Sequence, residues 1–206
     1  MTIPLGPRIY LASRSPRRRE LLTQIGVQFD TLIFRGPPRE DSETDETPLP
    51  GEDPVAYVKR VARAKAEHGL RLLVWRHLVS HPILSADTTV ECNGQILGKP
   101  VDAADATRML EMLSGGEHRV LTAVSLAWNS HVETVLSESR VRFRPLEAGE
   151  IARYVASGEP MDKAGAYGIQ GRAGQFVARL EGSYTGVMGL PLCETGELLK
   201  MAGYPL

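Results

Sequence analysis

Strand and helix patterns alternate along this 206-residue chain, which predicts an α/β protein. Short apolar runs such as Ile9-Tyr10-Leu11-Ala12 and Ile83-Leu84-Ser85-Ala86 are interleaved with stretches whose apolar residues recur at helical spacing. The changes between them fall at Ser-Pro, Asp-Pro, Asn-Gly and Gly-Gly, the dipeptides that punctuate secondary structure.

The first strand leads into Ser13-Arg14-Ser15-Pro16 and then Arg17-Arg18-Arg19-Glu20-Leu21-Leu22. Ser15 suits an N-cap and Pro16 the first helical position, where a missing N–H does no harm. Gly26 closes that helix. Residues 27–34 read as a second strand, and residues 35–54 as a proline-rich acidic loop carrying Glu40, Asp41, Glu43, Asp45, Glu46, Glu52 and Asp53. Asp53-Pro54 opens a helix that Gly69 is expected to end, and residues 70–82 fit helix or loop equally well. Residues 83–90 read as a buried strand, and Asn93-Gly94 signals a type I′ hairpin leading to Gln95-Ile96-Leu97. Asp102 can cap a helix to Leu113 with Ala106, Met109, Leu110 and Leu113 facing inward, ended by Ser114-Gly115-Gly116. Residues 120–128 and 132–143 read as strands joined at Asn129-Ser130, followed by a helix over 147–157. A glycine-dense loop through Gly165, Gly168, Gly171 and Gly174, a strand over 176–180 and a helix after Pro191 complete the chain.

The totals bound the function. One domain over residues 1–206 is expected to bury roughly 70% of its unfolded surface, enough to fold without a disulfide or structural metal. A net charge of −1 argues against a broad nucleic-acid surface, so phosphate chemistry needs a local cation cluster. Cys92 and Cys193 form no metal-ligand pattern, and no apolar run is long enough for a membrane span or a signal peptide. A soluble, cytoplasmic protein is the expectation.

Three consecutive arginines in a helix's first turn point to chemistry. Helix N-termini carry partial positive charge and disfavour cations unless an anion occupies them. Exposed N–H groups, serines and guanidinium forks together suit a polyphosphate, although Arg18 or Arg19 alone fits a solvated basic face equally well. Asp87 ends an apolar strand, where a carboxylate is costly unless it caps a turn, holds a metal or serves as a base. Lys65 shares the inward stripe of Val58, Val61 and Ala62, either snorkelling at its edge or meeting phosphate. Lys99, past the hairpin, returns towards Asp87 and Thr88, where it either meets phosphate or stays solvated. In Asp162-Lys163-Ala164-Gly165-Ala166-Tyr167-Gly168-Ile169-Gln170-Gly171 the glycines allow close approach to a ligand. Gln170 there matches the donor and acceptor pattern of a uracil or thymine imide. P-loop and Rossmann fingerprints are both missing, so side chains and a metal must hold the phosphates.

Taken together, these stretches resemble the Maf family of nucleoside triphosphate pyrophosphatases over nearly the whole chain. Asp45-Glu46, Ala62-Arg63-Ala64-Lys65-Ala66, Ala86-Asp87-Thr88-Thr89-Val90, Gly98-Lys99-Pro100, Gly182-Ser183-Tyr184 and Gly189-Leu190-Pro191-Leu192 add to the resemblance. It implies an elongated α/β fold related to the inosine triphosphatases, with a mixed twisted sheet and two lobes around a central cleft. It also implies hydrolysis of a nucleoside triphosphate to the monophosphate and pyrophosphate with a divalent cation, Mg²⁺ or Mn²⁺. Asp87 matches the proton acceptor; Ser13, Arg17, Glu46, Lys65 and Lys99 match positions around phosphates and metal; Arg17, Thr88 and Gln170 match base selectivity. In this reading Glu46 and Asp87 hold the metal, while Arg17, Lys65 and Lys99 stabilise the departing pyrophosphate. Asp87-Thr88-Thr89 with Gly168-Ile169-Gln170-Gly171 looks like the branch acting on dTTP and UTP. The other readings are a pyrophosphatase for 7-methyl-GTP or modified nucleotides, and a non-catalytic nucleotide-binding regulator of cell division. The stretch 35–44 is longer than the family pattern before Asp45-Glu46, and residues 70–82 match poorly, their apolar side chains fitting either core or a homodimer contact.

Overall fold

The computed structural model describes residues 7–34, 45–129 and 131–206. Glu40, Asp41 and Glu43 of the acidic loop, and Ser130 of the second turn, lie outside them. Among the described residues, seven strands form a mixed sheet in the order β2-β1-β3-β5-β6-β7, with β4 paired to β3. Six α-helices accompany it, so the α/β class implied by the alternating pattern is what the chain adopts.

Strand β1 (Ile9–Leu11) buries Ile9 and Leu11 and pairs in parallel with β2 (Phe29–Thr31) and β3 (Ile83–Cys92). The second strand is shorter than residues 27–34 because β1 offers it only three partners, Ile9, Tyr10 and Leu11. Helix α1 (Pro16–Gln24) starts as expected, with Ser15 extended at the cap and Pro16 in the first turn. The Ser15 side chain makes no cap bond; its backbone N–H donates to Ser13 Oγ at 3.2 Å.

Helix α2 (Pro54–Trp75) is capped by Asp53, whose carboxylate accepts the N–H groups of Val55 and Ala56 at 3.0 Å each. Gly69 does not end it. The helix continues to Trp75 because Gly69 faces β3: a Cβ there would sit 2.9 Å from Ile83 Cγ2. The glycine therefore permits close helix–strand packing and its conformational freedom is not used. Residues 70–82 resolve into the last turn and a half of α2 followed by loop.

Strand β3 turns at Asn93 (φ 53°) and Gly94 (φ 78°), the paired positive dihedrals of a type I′ turn, into β4 (Gln95–Leu97). Helix α3 (Ala103–Leu113) is capped by Asp102 and buries Ala106, Met109, Leu110 and Leu113, the face read from its spacing. Strands β5 (Glu117–Trp128) and β6 (His131–Phe143) follow, then α4 (Ala148–Ala156), closed at its start by a capping box between Glu147 and Glu150. Three short 3₁₀ turns occupy the glycine-rich loop before β7 (Val177–Glu181). Helices α5 (Tyr184–Met188) and α6 (Leu192–Met201) end the chain, the first of them without a helical signal in the sequence.

The chain divides into two compact units. The first takes the described residues of Met1–Asp87 with Ala123–Leu136 and Gly189–Leu206; the second takes Thr88–Thr122 and Ser137–Met188. In the first, Ala12, Leu32, Ala66, Leu72, Leu73, Ile83 and Ala127 pack as one cluster. In the second, α3 and α4 pack with Phe143, Tyr154, Tyr167 and Phe176, whose rings meet edge to face. His118 is enclosed in that cluster 2.8 Å from Tyr167 Oη, and burial pushes its pKa down to about 4. Among the described residues no helix is long and apolar enough to cross a membrane.

Candidate active site

One repeat of contacts between α2 and β3 builds the centre of the site. Residues two apart on a strand share a face, and residues three apart on a helix are neighbours. Ser85 Oγ donates to the Ala62 carbonyl at 2.7 Å, fixing helix against strand. One step further along both elements, Lys65 Nζ lies 2.8 Å from Asp87 Oδ1. The Lys65 and Asp87 side chains are only 12% and 11% exposed, so this is a largely desolvated ion pair, not a solvated surface contact.

Glu46 completes a triad. Its Oε1 lies 2.8 Å from the same Nζ, while its side chain remains 53% exposed. Helix α2 also anchors the backbone around it. Tyr57 Oη donates to the Glu46 carbonyl at 2.9 Å, and Arg60 donates to the Thr47 carbonyl at 3.1 Å while pairing with Glu52 at 2.6 Å. The Tyr57 phenol is pushed up to about 12 by burial and by the charges of Asp87 and Glu46, which keeps it a hydrogen-bond donor. Glu46 is thus tied to the helix that carries Lys65, while the path of residues 35–44 lies outside the described residues.

Arg18 joins the opening cluster to this triad. Its Nε donates to the Gly189 carbonyl at 2.7 Å, and its Nη1 donates to the Ala86 carbonyl at 2.8 Å and to Ser13 Oγ at 3.2 Å. Ala86 is the residue before Asp87. Burial pushes the guanidinium below the usual arginine value; Asp87 and Glu46 oppose that shift, and Arg17 adds to it. The first turn of α1 and the carboxylates therefore act on one another electrostatically. Arg18 is partly buried and internally bonded, which decides against a solvated face for it, whereas Arg19 is exposed. The sequence carries a signal for Arg18: Leu21 and Leu22, three and four positions on, form the buried face of α1.

Of the residues singled out from sequence, Ser13, Glu46, Lys65 and Asp87 belong to the first unit and are linked as described; Arg17 belongs to the same unit, half-buried beside Arg18. Thr88, Lys99 and Gln170 belong to the second. Thr88 Oγ1 lies 3.0 Å from Thr122 Oγ1, and Thr122 donates to the Gly186 carbonyl at 2.8 Å. The β3–β4 ladder, with Val90 opposite Leu97, ends before Lys99, which is exposed. Gln170 is exposed on a turn closed by the Gly171 N–H on the Gly168 carbonyl at 3.0 Å.

The glycines of this loop serve packing. Gly165 (φ 66°) lies against β3, where a Cβ would fall 2.7 Å from Val90 Cγ2. Gly168 lies under the Lys163 stem, and Gly171 under the Glu159 carboxylate.

A divalent cation is compatible with these donors. Among the described residues no three His, Cys, Asp or Glu side chains form a ready-made metal cage. Glu46 and Asp87 nevertheless lie close together, each 2.8 Å from Lys65 Nζ through one of its two carboxylate oxygens. Two carboxylates fit an ion such as Mg²⁺, which keeps waters and takes its other ligands from substrate phosphates.

Comparison with known proteins shows the family. The Maf-like protein family model matches residues 8–202. The chain is 68% identical over 197 residues to the dTTP/UTP pyrophosphatase of Dechloromonas aromatica (strain RCB), covering 96% of this chain and 98% of that protein. It is 62% identical over 204 residues to the dTTP/UTP pyrophosphatase of Aromatoleum aromaticum (strain DSM 19018 / LMG 30748 / EbN1), covering 98% and 99%. The structure of the Staphylococcus aureus Ham1 protein overlaps at a TM-score of 0.45 and 14% identity, covering 66% of this chain and 71% of that one. With a family match over nearly its whole length and relatives this similar, the chain belongs to the Maf-like protein family.

Proposed function

We propose that this chain hydrolyses dTTP and UTP to the monophosphate and pyrophosphate, with a divalent cation, Mg²⁺ or Mn²⁺, held by Glu46 and Asp87. The observation that carries this reading is Lys65 Nζ, 2.8 Å from both Asp87 and Glu46, beside a guanidinium bonded to the residue preceding Asp87. That combination offers a proton acceptor and cations in one place, the requirements for moving water onto phosphorus while a charged group departs.

Asp87 accepts the proton of the water that attacks the α-phosphorus. Lys65 holds that carboxylate in place and, with Arg17 and Lys99, offsets charge developing on the pyrophosphate. Ser13 contributes a hydroxyl at the start of α1, next to the phosphate tail. When bound, the cation supplies Lewis acidity towards the phosphate oxygens and lowers the pKa of water near them. Thr88 and Gln170 read the base, Gln170 by pairing its amide with the N–H and carbonyl of the uracil or thymine imide. We place the protein in the cytoplasm, and a homodimer is compatible with the exposed Val74, Trp75 and Val79.

The test is a nucleotide panel read by released pyrophosphate, with and without divalent cation. The expected result is that dTTP and UTP exceed CTP in kcat/KM by about 100-fold or more, because cytosine leaves the amide facing a mismatched donor pattern. Equal values for UTP and CTP would contradict the base assignment. Preference for 7-methyl-GTP would favour the alternative substrate class, and binding without hydrolysis would favour a regulator.

A further inference from the structure

We propose that Glu159 is a positioning residue for base selection, holding the turn that presents Gln170. The proposal rests on the reading of Gln170 as the base-contacting amide and adds what fixes that amide in space. Gln170 is exposed and needs its backbone held if one amide orientation is to be favoured over others.

The turn Gly168-Ile169-Gln170-Gly171 is pinned on both sides. On the far side, the Glu159 carboxylate accepts the Arg172 N–H through Oε1 at 3.1 Å and Oε2 at 3.3 Å. Tyr154 Oη donates to Oε1 at 3.1 Å, and burial together with the Glu159 charge raises the Tyr154 pKa, so the phenol stays protonated. That carboxylate lies so close to Gly171 that a Cβ there would overlap it. On the near side, Lys163 Nζ donates to the Glu159 carbonyl at 2.6 Å and pairs with Asp162 at 2.5 Å. The Lys163 stem runs across Gly168, where a Cβ would fall 2.9 Å from Cε.

Ile169, between these clamps, is buried in the cluster that includes Tyr154, Tyr167 and Phe176. Behind it, a Cβ on Gly174 would fall 2.8 Å from the Ile169 carbonyl oxygen. Glu159 thus ties the turn's exit to the aromatic core through its carboxylate and Tyr154, and its backbone carbonyl holds the lysine crossing the turn's entrance. Removing its carboxylate frees the Arg172 N–H and opens space over Gly171, so the Gln170 amide samples more orientations.

The test compares UTP and CTP kinetics for the wild-type chain, Glu159→Ala, Glu159→Asp and Glu159→Gln, with a thermal melt of each. Glu159→Ala is expected to lower the UTP/CTP ratio of kcat/KM by about tenfold, through a higher KM for UTP, with CTP constants and kcat for UTP little changed. Glu159→Asp, one methylene too short to reach Arg172, should behave similarly, which keeps the test open if the alanine variant fails to fold. Glu159→Gln retains an acceptor of the right length and should recover most of the discrimination. A parallel fall for both nucleotides, or an unchanged ratio in folded Glu159→Ala and Glu159→Asp, overturns the proposal. A wild-type chain that does not prefer UTP to CTP locates the failure in the Gln170 reading itself, and the positioning role falls with it.

Discussion

Asp87→Asn is expected to lower turnover of UTP at least ~100-fold, the scale of losing a positioned base. Asparagine keeps the shape of the side chain, and its Oδ1 can still accept from Lys65 Nζ, now 2.8 Å from Asp87 Oδ1. What disappears is the ability to take a proton and the negative charge that balances Lys65 and Arg18. Lys65 retains Glu46 as a partner, so the stability cost should be about 1–3 kcal/mol. Pyrophosphate release under saturating UTP, together with a thermal melt, separates the two effects. A folded Asp87→Asn with near-normal turnover would remove Asp87 from the chemistry.

Arg18→Ala should lower both stability and activity. Its guanidinium bridges the Gly189 carbonyl, the Ala86 carbonyl and Ser13 Oγ, so truncation leaves two backbone acceptors without their charged donor. Hydrogen bonds to charged groups contribute about 1.5–3 kcal/mol each, so a loss of about 3–5 kcal/mol follows, or roughly 10 °C in melting temperature. Turnover should fall at least ~10-fold as the middle of β3, where Asp87 sits rather than at the strand end the sequence implies, loses its tether and a nearby cation. Arg18→Lys should recover only part of this, because one ammonium cannot reproduce a planar fork reaching two carbonyls. Calorimetry and steady-state kinetics on both variants check the expectation; an Arg18→Ala protein with wild-type melting temperature would contradict it.

The elements most legible in the sequence were those set by local chemistry. Asp102 and the inward stripe of α3, and Asn93-Gly94 between β3 and β4, are specified by residues within a few positions of one another. Gly69 reads as a helix end from its neighbours alone, because its meaning depends on Ile83, fourteen positions along the chain and on another element: the same glycine ends a helix in one setting and admits a strand in another. Helix α5 gave no signal, being five residues long with Gly186 inside it. In the site, the residue types at positions 13, 17, 46, 65 and 87 could be named from sequence. Their assembly could not, because it depends on Ser85 fixing α2 to β3, on Tyr57 and Arg60 anchoring the strand of chain around Glu46, and on Arg18 turning inward. Periodicity shows which face of a helix is apolar but says little about a charged residue on that face until its partners are seen.

The central claim is that water, deprotonated at Asp87, attacks the α-phosphorus of a pyrimidine nucleoside triphosphate and expels pyrophosphate. A single turnover of dTTP in water enriched with heavy oxygen, followed by mass spectrometry of the products, tests it most directly. The expected result is one heavy oxygen in the thymidine monophosphate and none in the pyrophosphate. Label in the pyrophosphate, or in free phosphate released beside a nucleoside diphosphate, would contradict it.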